Sequence, residues 1–157
     1  MSWTNKDGLV VKFGLELGDG YNHGSTSATP KRLAIDIDPT VKALPVAADI
    51  EGSFPMIPAG SYITRASVIS ETTFTAAGAA TLDIGLAQLD GTVIDLNGID
   101  AVIALAALTS QDVVACNGVL VDGVLTVGTA DAYVYFTVGT GPYTAGKAKL
   151  VIEYIEA

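Results

Sequence analysis

The stretch AYVYFTVGTGPYTAGKAKLVIEYI, residues 132–155, decides the fold class. In its first half, apolar side chains that we expect to face a core alternate with side chains that we expect to face outward. The inward set is Val134, Phe136 and Val138, and the outward set is Tyr133, Tyr135 and Thr137. The second half, Lys147 to Ile155, alternates in the same way around Ala148, Leu150, Ile152 and Tyr154. The loop between them, rich in Gly, Thr and Pro, predicts that the two strands form a hairpin.

A second informative stretch, ATLDIGLAQLDGTVIDLNGIDAVIALAAL, spans residues 80–108. It alternates through Leu82, Ile84 and Leu86, and Asp90-Gly91 then predicts a tight turn into another strand. Asn97-Gly98 predicts a second turn. The spacing of Ile99, Val102, Ile103 and Ala106 is typical of one helical face, so we expect a short apolar helix over 101–108 that plugs an edge of the β structure.

Further strands are predicted over residues 9–13, 32–38, 61–71 and 124–127, and Gly and Pro punctuate the chain between them. Four prolines between residues 39 and 58 predict connecting chain there, with Phe54, Met56 and Ile57 against the rim of the core. The total, roughly eight strands at irregular spacing, is typical of an all-β fold. We therefore predict an antiparallel β-sandwich or jelly roll with one short helix.

The length of 157 residues fits one folded domain. Residues 1–31 have mixed character and a loop rich in Gly, Ser and Thr, which predicts an extended N-terminal arm preceding a β-sandwich domain over 32–157. The apolar runs are too short to span a membrane, and Lys6, Asp7 and Lys12 interrupt any signal sequence. We therefore expect a protein that folds in a cytoplasm, with the lone Cys116 as a small buried residue.

The net charge of −9 is unevenly distributed. Five of the eight basic residues lie in the first 42 positions, and none occurs between Arg65 and Lys147. An acidic body repels phosphate backbones, so nucleic-acid binding is not expected. Arg65 is predicted to face solvent or to form an ion pair.

The sequence contains little that predicts catalysis. His23 is the only imidazole and lies in a loop with no catalytic motif around it, and one Cys with one His cannot supply a usual zinc site. The residues Asp95, Asn97 and Asp100 weakly resemble a calcium loop, but turn and cap roles explain them equally well. Pairs such as Asp36 with Asp38, or Asp83 with Asp95, are the only candidates for a hydrolase. We expect no enzyme, no cofactor and no metal.

Several segments resemble the small β-sandwich cement or decoration proteins of tailed-bacteriophage heads. The matching pieces occur in the same order through most of the chain. They are DGLVVKFG (7–14), IPAGSYI (57–63), TLDIGLAQLDGTVID (81–95) and TAGKAKLVIEY (144–154).

This resemblance implies a jelly-roll-like subunit, often a homotrimer, that binds the assembled capsid and ties neighbouring major capsid proteins together in the virion. The partner-binding candidates are aromatic and imidazole side chains of the arm and of the outward face of residues 132–138. They are Trp3, Phe13, Tyr21, His23, Tyr133 and Tyr135.

Two other functions stay open from the sequence. One is a carbohydrate-binding β-sandwich module on a virion or cell surface, and the other is a hydrolase that uses one of the Asp pairs. Packing against the chain's own sandwich is the structural alternative for the aromatic candidates.

Overall fold

Nearly all of the regular structure is β. The computed structural model describes the backbone of residues 2–4 and 10–12, and residues 30–122 and 125–156 with their side chains. The strands of these residues are β1 Ser2–Thr4, β2 Val10–Lys12, β3 Lys31–Ile37, β4 Met56–Ile57, β5 Tyr62–Ala76, β6 Thr81–Ala87, β7 Val93–Ala104, β8 Val113–Ala115, β9 Ala132–Gly139 and β10 Tyr143–Ile155.

Strands β3 to β10 form two four-stranded antiparallel sheets, in the orders β3-β10-β5-β8 and β4-β9-β6-β7. Among these strands only the β6–β7 connection stays within one sheet, because every other connection crosses to the opposite sheet. This order is that of an eight-stranded jelly roll. The predicted all-β antiparallel sandwich is confirmed.

The core lies between the two sheets and is mainly aliphatic. Its centre includes Val68, Leu82, Ile84, Leu150 and Ile152, all of which are fully buried. The alternation predicted for residues 132–138 and 147–155 is confirmed, because the inward sets belong to this cluster. The strand predicted over 32–38 is present as β3. The register of β10, in which Leu150 lies opposite Ile35 on one side and Val68 on the other, brings these side chains together.

The predicted hairpin of residues 132–155 is wrong, although both of its strands exist. β9 pairs with β4 and β6, whereas β10 pairs with β3 and β5 in the other sheet. The connection includes Thr140 and Gly141, whose φ angles of 70° and 148° lie in the left-handed region. It therefore carries the chain across the end of the sandwich and does not close a hairpin.

The predicted helix over 101–108 is also wrong. Residues up to Ala104 belong to β7, and only Leu105–Ala107 form a single 3₁₀ turn. β7 carries one extra residue relative to β6, because Leu82 and Ile84 pair with Ile103 and Asp100. Such a bulge breaks the two-residue period of a strand and imitates helical spacing.

The bulge contains an unusual backbone conformation at Val102, whose φ is 58°. A β-branched residue rarely adopts this region. The conformation is held by the Val102 amide, which donates a hydrogen bond of 2.5 Å to Asp83 Oδ1.

A second irregularity of β7 contains the Asn97-Gly98 pair, for which the sequence predicts a turn. Leu86 pairs with Asp95 whereas Ile84 pairs with Asp100, so the residues between them bulge out of the ladder. Gly98 and Gly118 meet there, since a Cβ on Gly118 would lie 2.3 Å from the Gly98 carbonyl oxygen.

The remaining strand predictions are mixed. The Asp90-Gly91 turn is present within the loop that joins β6 to β7, where the Gln88 amide donates to the Thr92 carbonyl. In the predicted strand at 124–127, the described residues show only an isolated bridge between Thr126 and Tyr62. Ile57 is buried as expected, but Met56 is 42% exposed.

In the amino-terminal segment, β1 and β2 pair in an antiparallel ladder that aligns Trp3 with Val11. The predicted strand over 9–13 is therefore present as β2. The division into an arm over 1–31 and a body over 32–157 stays a prediction.

Substitution of Gly85 tests the packing on the outer side of β6. In Gly85→Ala the new Cβ would lie 2.4 Å from the Leu96 carbonyl oxygen and 2.7 Å from the Tyr135 ring. We expect the free energy of unfolding to fall by about 1–3 kcal/mol, the usual effect of overpacking. Urea denaturation measures it. Gly52→Ala is the control, because its nearest atom is 3.9 Å away; equal stability of the two variants would contradict this packing.

Candidate interaction surface

One end of the outer face of the β4-β9-β6-β7 sheet, around Ala87, Tyr133 and Tyr135, is covered by the chain itself. Residues 46–54 fold back over it, and the Phe136 amide donates a hydrogen bond of 2.9 Å to the Pro45 carbonyl just before this segment. Ile50 forms a second small core there with Ala87, Tyr133 and Tyr135, and Ala47 and Phe54 pack against it. This end of the sheet therefore has apolar layers on both sides.

Tyr133 and Tyr135 were predicted to be available for a partner because they point away from the main core. Their direction is as predicted, but they are only 6% and 3% exposed. The prediction that they are surface residues is wrong, because alternation gives the side of a sheet and does not show what covers it. Burial also raises the pKa of the Tyr135 hydroxyl.

The other partner-binding candidates belong to the amino-terminal segment. Trp3 is in β1, where its backbone pairs with Val11. Phe13, Tyr21 and His23 lie outside the described residues. Their role in binding stays a prediction.

The outer face of the β3-β10-β5-β8 sheet is the larger candidate surface, and we term it the open face. We define it by the residues of these strands that alternate with the core positions. They are Arg32, Ala34 and Asp36 of β3, Lys147, Lys149, Val151 and Glu153 of β10, Arg65, Ser67, Ile69 and Glu71 of β5, and Val113 and Ala115 of β8. The second hydrophobic cluster of the described residues lies on the other sheet, so it leaves this face uncovered.

Ion pairs between neighbouring strands lie along the open face. Arg32 contacts Glu153 at 2.5 Å, and Arg65 lies opposite Glu153 on the other side in the β-ladder. At the other end, Lys149 pairs with Asp36 at 3.3 Å and Lys147 pairs with Glu71 at 3.1 Å. These side chains are largely exposed, so the pairs organise the charge of the face more than they stabilise the fold.

The part of the open face on β5 and β8 is apolar, and it continues the row of Lys149 and Asp36. Ile69 and Val113 lie directly opposite each other and are 39% and 60% exposed. Ala34, Val151, Ser67 and Ala115 form a row across all four strands. Because the side chains of this row are small, a shallow groove lies between Arg65, Ile69, Val113 and Glu153.

Sequence reasoning did not select the open face as a site. It placed Arg65 correctly on the solvent side, and Arg65 is exposed. The usable signal was the alternation of β5 and β10, which puts Arg65, Ile69, Lys149 and Glu153 on one side of their strands. Which strands are neighbours could not be derived from that pattern.

A separate apolar groove of about 290 Å³ lies beside β3, between Ile35 and the segment that follows the strand. Leu44, Pro45, Phe54 and Val134 contribute to its wall. The Phe54 ring is partly covered by Lys42, whose Nζ lies 4.8 Å from the ring centroid.

The carboxylates proposed as hydrolase pairs have local structural partners. Asp38 accepts hydrogen bonds from the amide and hydroxyl of Thr40, and Asp36 pairs with Lys149. Asp83 accepts from the Val102 amide, and Asp95 accepts from the Asn97 amide.

In the part of the chain that the structure describes, no group of three or more His, Cys, Asp or Glu side chains is placed to hold a metal ion. Among those same residues, no helix has the length and apolar character needed to cross a membrane.

Asp100 is the only buried acid among the described side chains, at 5% exposure. Burial raises the pKa of its carboxyl, while hydrogen bonds from the Ala101 and Asn117 backbone and the Cys116 thiol oppose the rise. Cys116 is buried, as predicted, and burial beside Asp100 raises the pKa of its thiol to about 12. The thiol is therefore protonated at neutral pH and unreactive.

The sandwich and its strand order place the protein in the class of eight-stranded jelly rolls. The sequence model of the Bbp16 family matches residues 45–152, which is more than half of the chain. The chain therefore belongs to the Bbp16 family. A comparison with curated proteins gave no significant match.

Two solved structures share the fold. The first is described as the capsid of Ralstonia phage GP4, with 19% identity and a TM-score of 0.58 over 91% of this chain and 90% of that chain. The second is described as the cyanophage Pam1 capsid asymmetric unit, with 16% identity and a TM-score of 0.51 over 86% of this chain and 89% of that chain. The resemblance to phage head β-sandwich proteins is therefore confirmed at the level of the fold.

The buried acid gives a prediction about pH. Because the raised pKa of Asp100 favours its neutral form in the folded state, the folded protein gains stability as the pH falls through that pKa toward the ordinary value of 3.8. Asp100→Asn removes this titration. From about pH 7 to about pH 4, the free energy of unfolding of the natural protein should therefore rise relative to that of the variant.

Urea denaturation at each pH measures the difference. Asp90→Asn is the control with the opposite sign, because hydrogen bonds from Thr92 lower the pKa of Asp90. Stability that Asp90 contributes is lost only as the pH falls from the ordinary value of 3.8 through that lowered pKa, so the control is followed below pH 4. The account of Asp100 is wrong if its variant follows the pH dependence of the natural protein.

Proposed function

We propose that this protein is a structural component of a phage virion, where it decorates the assembled capsid and stabilises it by bridging neighbouring major capsid subunits. The observation that carries the proposal is the structural similarity to chains in two phage capsid structures. In each comparison the similarity covers about nine-tenths of this chain and of the other chain. A likeness of this extent concerns the whole jelly roll and not one shared hairpin. The resemblance of the sequence to cement proteins points in the same direction.

The physical logic of such a role is avidity. A capsid presents the same surface many times, so many modest contacts by identical subunits resist the separation of neighbouring capsomers. A closed oligomer multiplies these contacts further, and we propose a homotrimer. The protein would be made in the host cytoplasm and then join the virion.

A binding role without catalysis is supported by the chemistry of the side chains. Four carboxylates could serve a hydrolase. Asp38, Asp83 and Asp95 each accept a hydrogen bond from a backbone amide, and Asp36 forms an ion pair with Lys149. The only buried thiol is protonated at neutral pH, because its pKa is raised to about 12. These groups stabilise the fold, and we propose that the protein is not an enzyme.

Carbohydrate binding is the second candidate, because jelly rolls also occur in lectins. The groove beside β3 offers one aromatic side chain, Phe54, and Lys42 lies over its ring. A sugar platform needs an accessible aromatic face. This candidate therefore has less support than capsid binding.

Co-sedimentation with phage heads tests the proposal. Purified protein is mixed with heads that lack it and, separately, with unassembled major capsid protein. We expect saturable binding to heads and none to the free subunit, because a bridging protein needs two neighbouring subunits at once. Failure to bind heads, together with sugar-dependent binding on a glycan array, would contradict capsid decoration and favour the lectin role.

A further inference from the structure

The open face carries four of the six basic side chains that the structure describes in a strongly acidic protein. It holds four basic and three acidic side chains, whereas the other described side chains include two basic and eleven acidic residues. The four basic residues are Arg32, Arg65, Lys147 and Lys149. The sandwich is therefore polarised, with a weakly positive open face and a strongly negative remainder.

The open face also has the shape of a docking surface. Ile69 and Val113 are exposed side by side, and the row from Ala34 to Ala115 beside them has only small or half-buried side chains. Arg32 and Arg65 flank Glu153 on the far side of this row. Arg65 is exposed at the edge of the shallow groove that it lines with Ile69, Val113 and Glu153, where it can meet a carboxylate of a partner.

We propose that the open face is the surface that docks on the capsid shell, and that it binds an apolar patch of the major capsid protein bordered by carboxylates. The proposal rests on the proposed function and adds which face makes the contact. Charge complementarity selects this occupant. A second copy docked open face to open face is disfavoured, because basic side chains outnumber acidic ones on both faces. A homotrimer would then form through other surfaces.

The opposite side of the sandwich is less suited to this contact. One end of its sheet is already covered by residues 46–54, and Tyr133 and Tyr135 are buried beneath them. The acids Asp83, Asp90 and Asp95 lie on or beside β6 and β7 with no basic residue in those strands. We infer that this side faces away from the shell.

Head binding by matched variants tests the inference. Arg65→Glu and Ile69→Asp alter the open face, while Lys42→Glu and Leu96→Asp make the same kinds of change elsewhere. Leu96 is 56% exposed on β7, so it tolerates a charge at least as well as Ile69, which is 39% exposed. We expect the open-face variants to weaken binding to heads by about tenfold or more, as for central interface residues, and the controls to bind within about twofold of the natural protein.

Three results distinguish a failure of the proposed function from a failure of the inference about the open face. If the natural protein does not bind heads, the proposed function fails and the inference fails with it. If the natural protein binds and both open-face variants bind equally well, the inference alone is overturned. If light scattering shows that these variants break an oligomer, the open face joins copies of this chain and the inference is again overturned.

The salt dependence of head binding is a second test, which uses only the natural protein and therefore does not depend on the folding of a variant. Docking of a basic face on carboxylates is weakened by screening, so the affinity of the natural protein for heads should fall between about 50 mM and about 300 mM salt. An affinity that does not change with salt would overturn the electrostatic part of the inference. Thermal melts of all four variants verify that each is folded.

Discussion

The register of β10 is the constraint on which the rest of the structure depends. This strand pairs with β3 on one side and β5 on the other, and it aligns Leu150 with Ile35 and Val68. A slip of one residue would turn Leu150 and Ile152 to solvent and bring Lys149 and Glu153 into the core. The same register therefore stabilises the sandwich and arranges the charges of the open face.

The two sheets use their outer faces differently. One is buried at one end under the segment between β3 and β4, which provides Ile50 and Phe54 for a second core. The other retains its charged and apolar side chains at the surface, with Arg65 and Ile69 exposed. The two sides of the sandwich therefore offer different surfaces to a partner, and the proposed decorating role uses this difference.

Much of the fold could be predicted from the sequence, because β3, β9 and β10 alternate clearly. The alternation of β5 is imperfect, and the β5–β10 ladder has a register shift beside Ile63 and Arg65. The pairing of strands could not be predicted, since β9 and β10 follow each other in the chain but belong to opposite sheets. The false helix has a local cause, because the bulge at Val102 gives β7 an apolar spacing that a regular helix also produces. The open face was missed because it combines residues from four strands, and only their pairing brings Arg32, Arg65 and Val113 together.

The most direct test of the central claim is a cryo-electron microscopy reconstruction of a phage particle that contains this chain. The account predicts a jelly roll outside the shell, with the β3-β10-β5-β8 sheet facing the major capsid protein and the segment 46–54 facing solvent. Density for the chain away from the shell would contradict the decorating role. A jelly roll bound to the shell through the β4-β9-β6-β7 side would contradict the assignment of the open face.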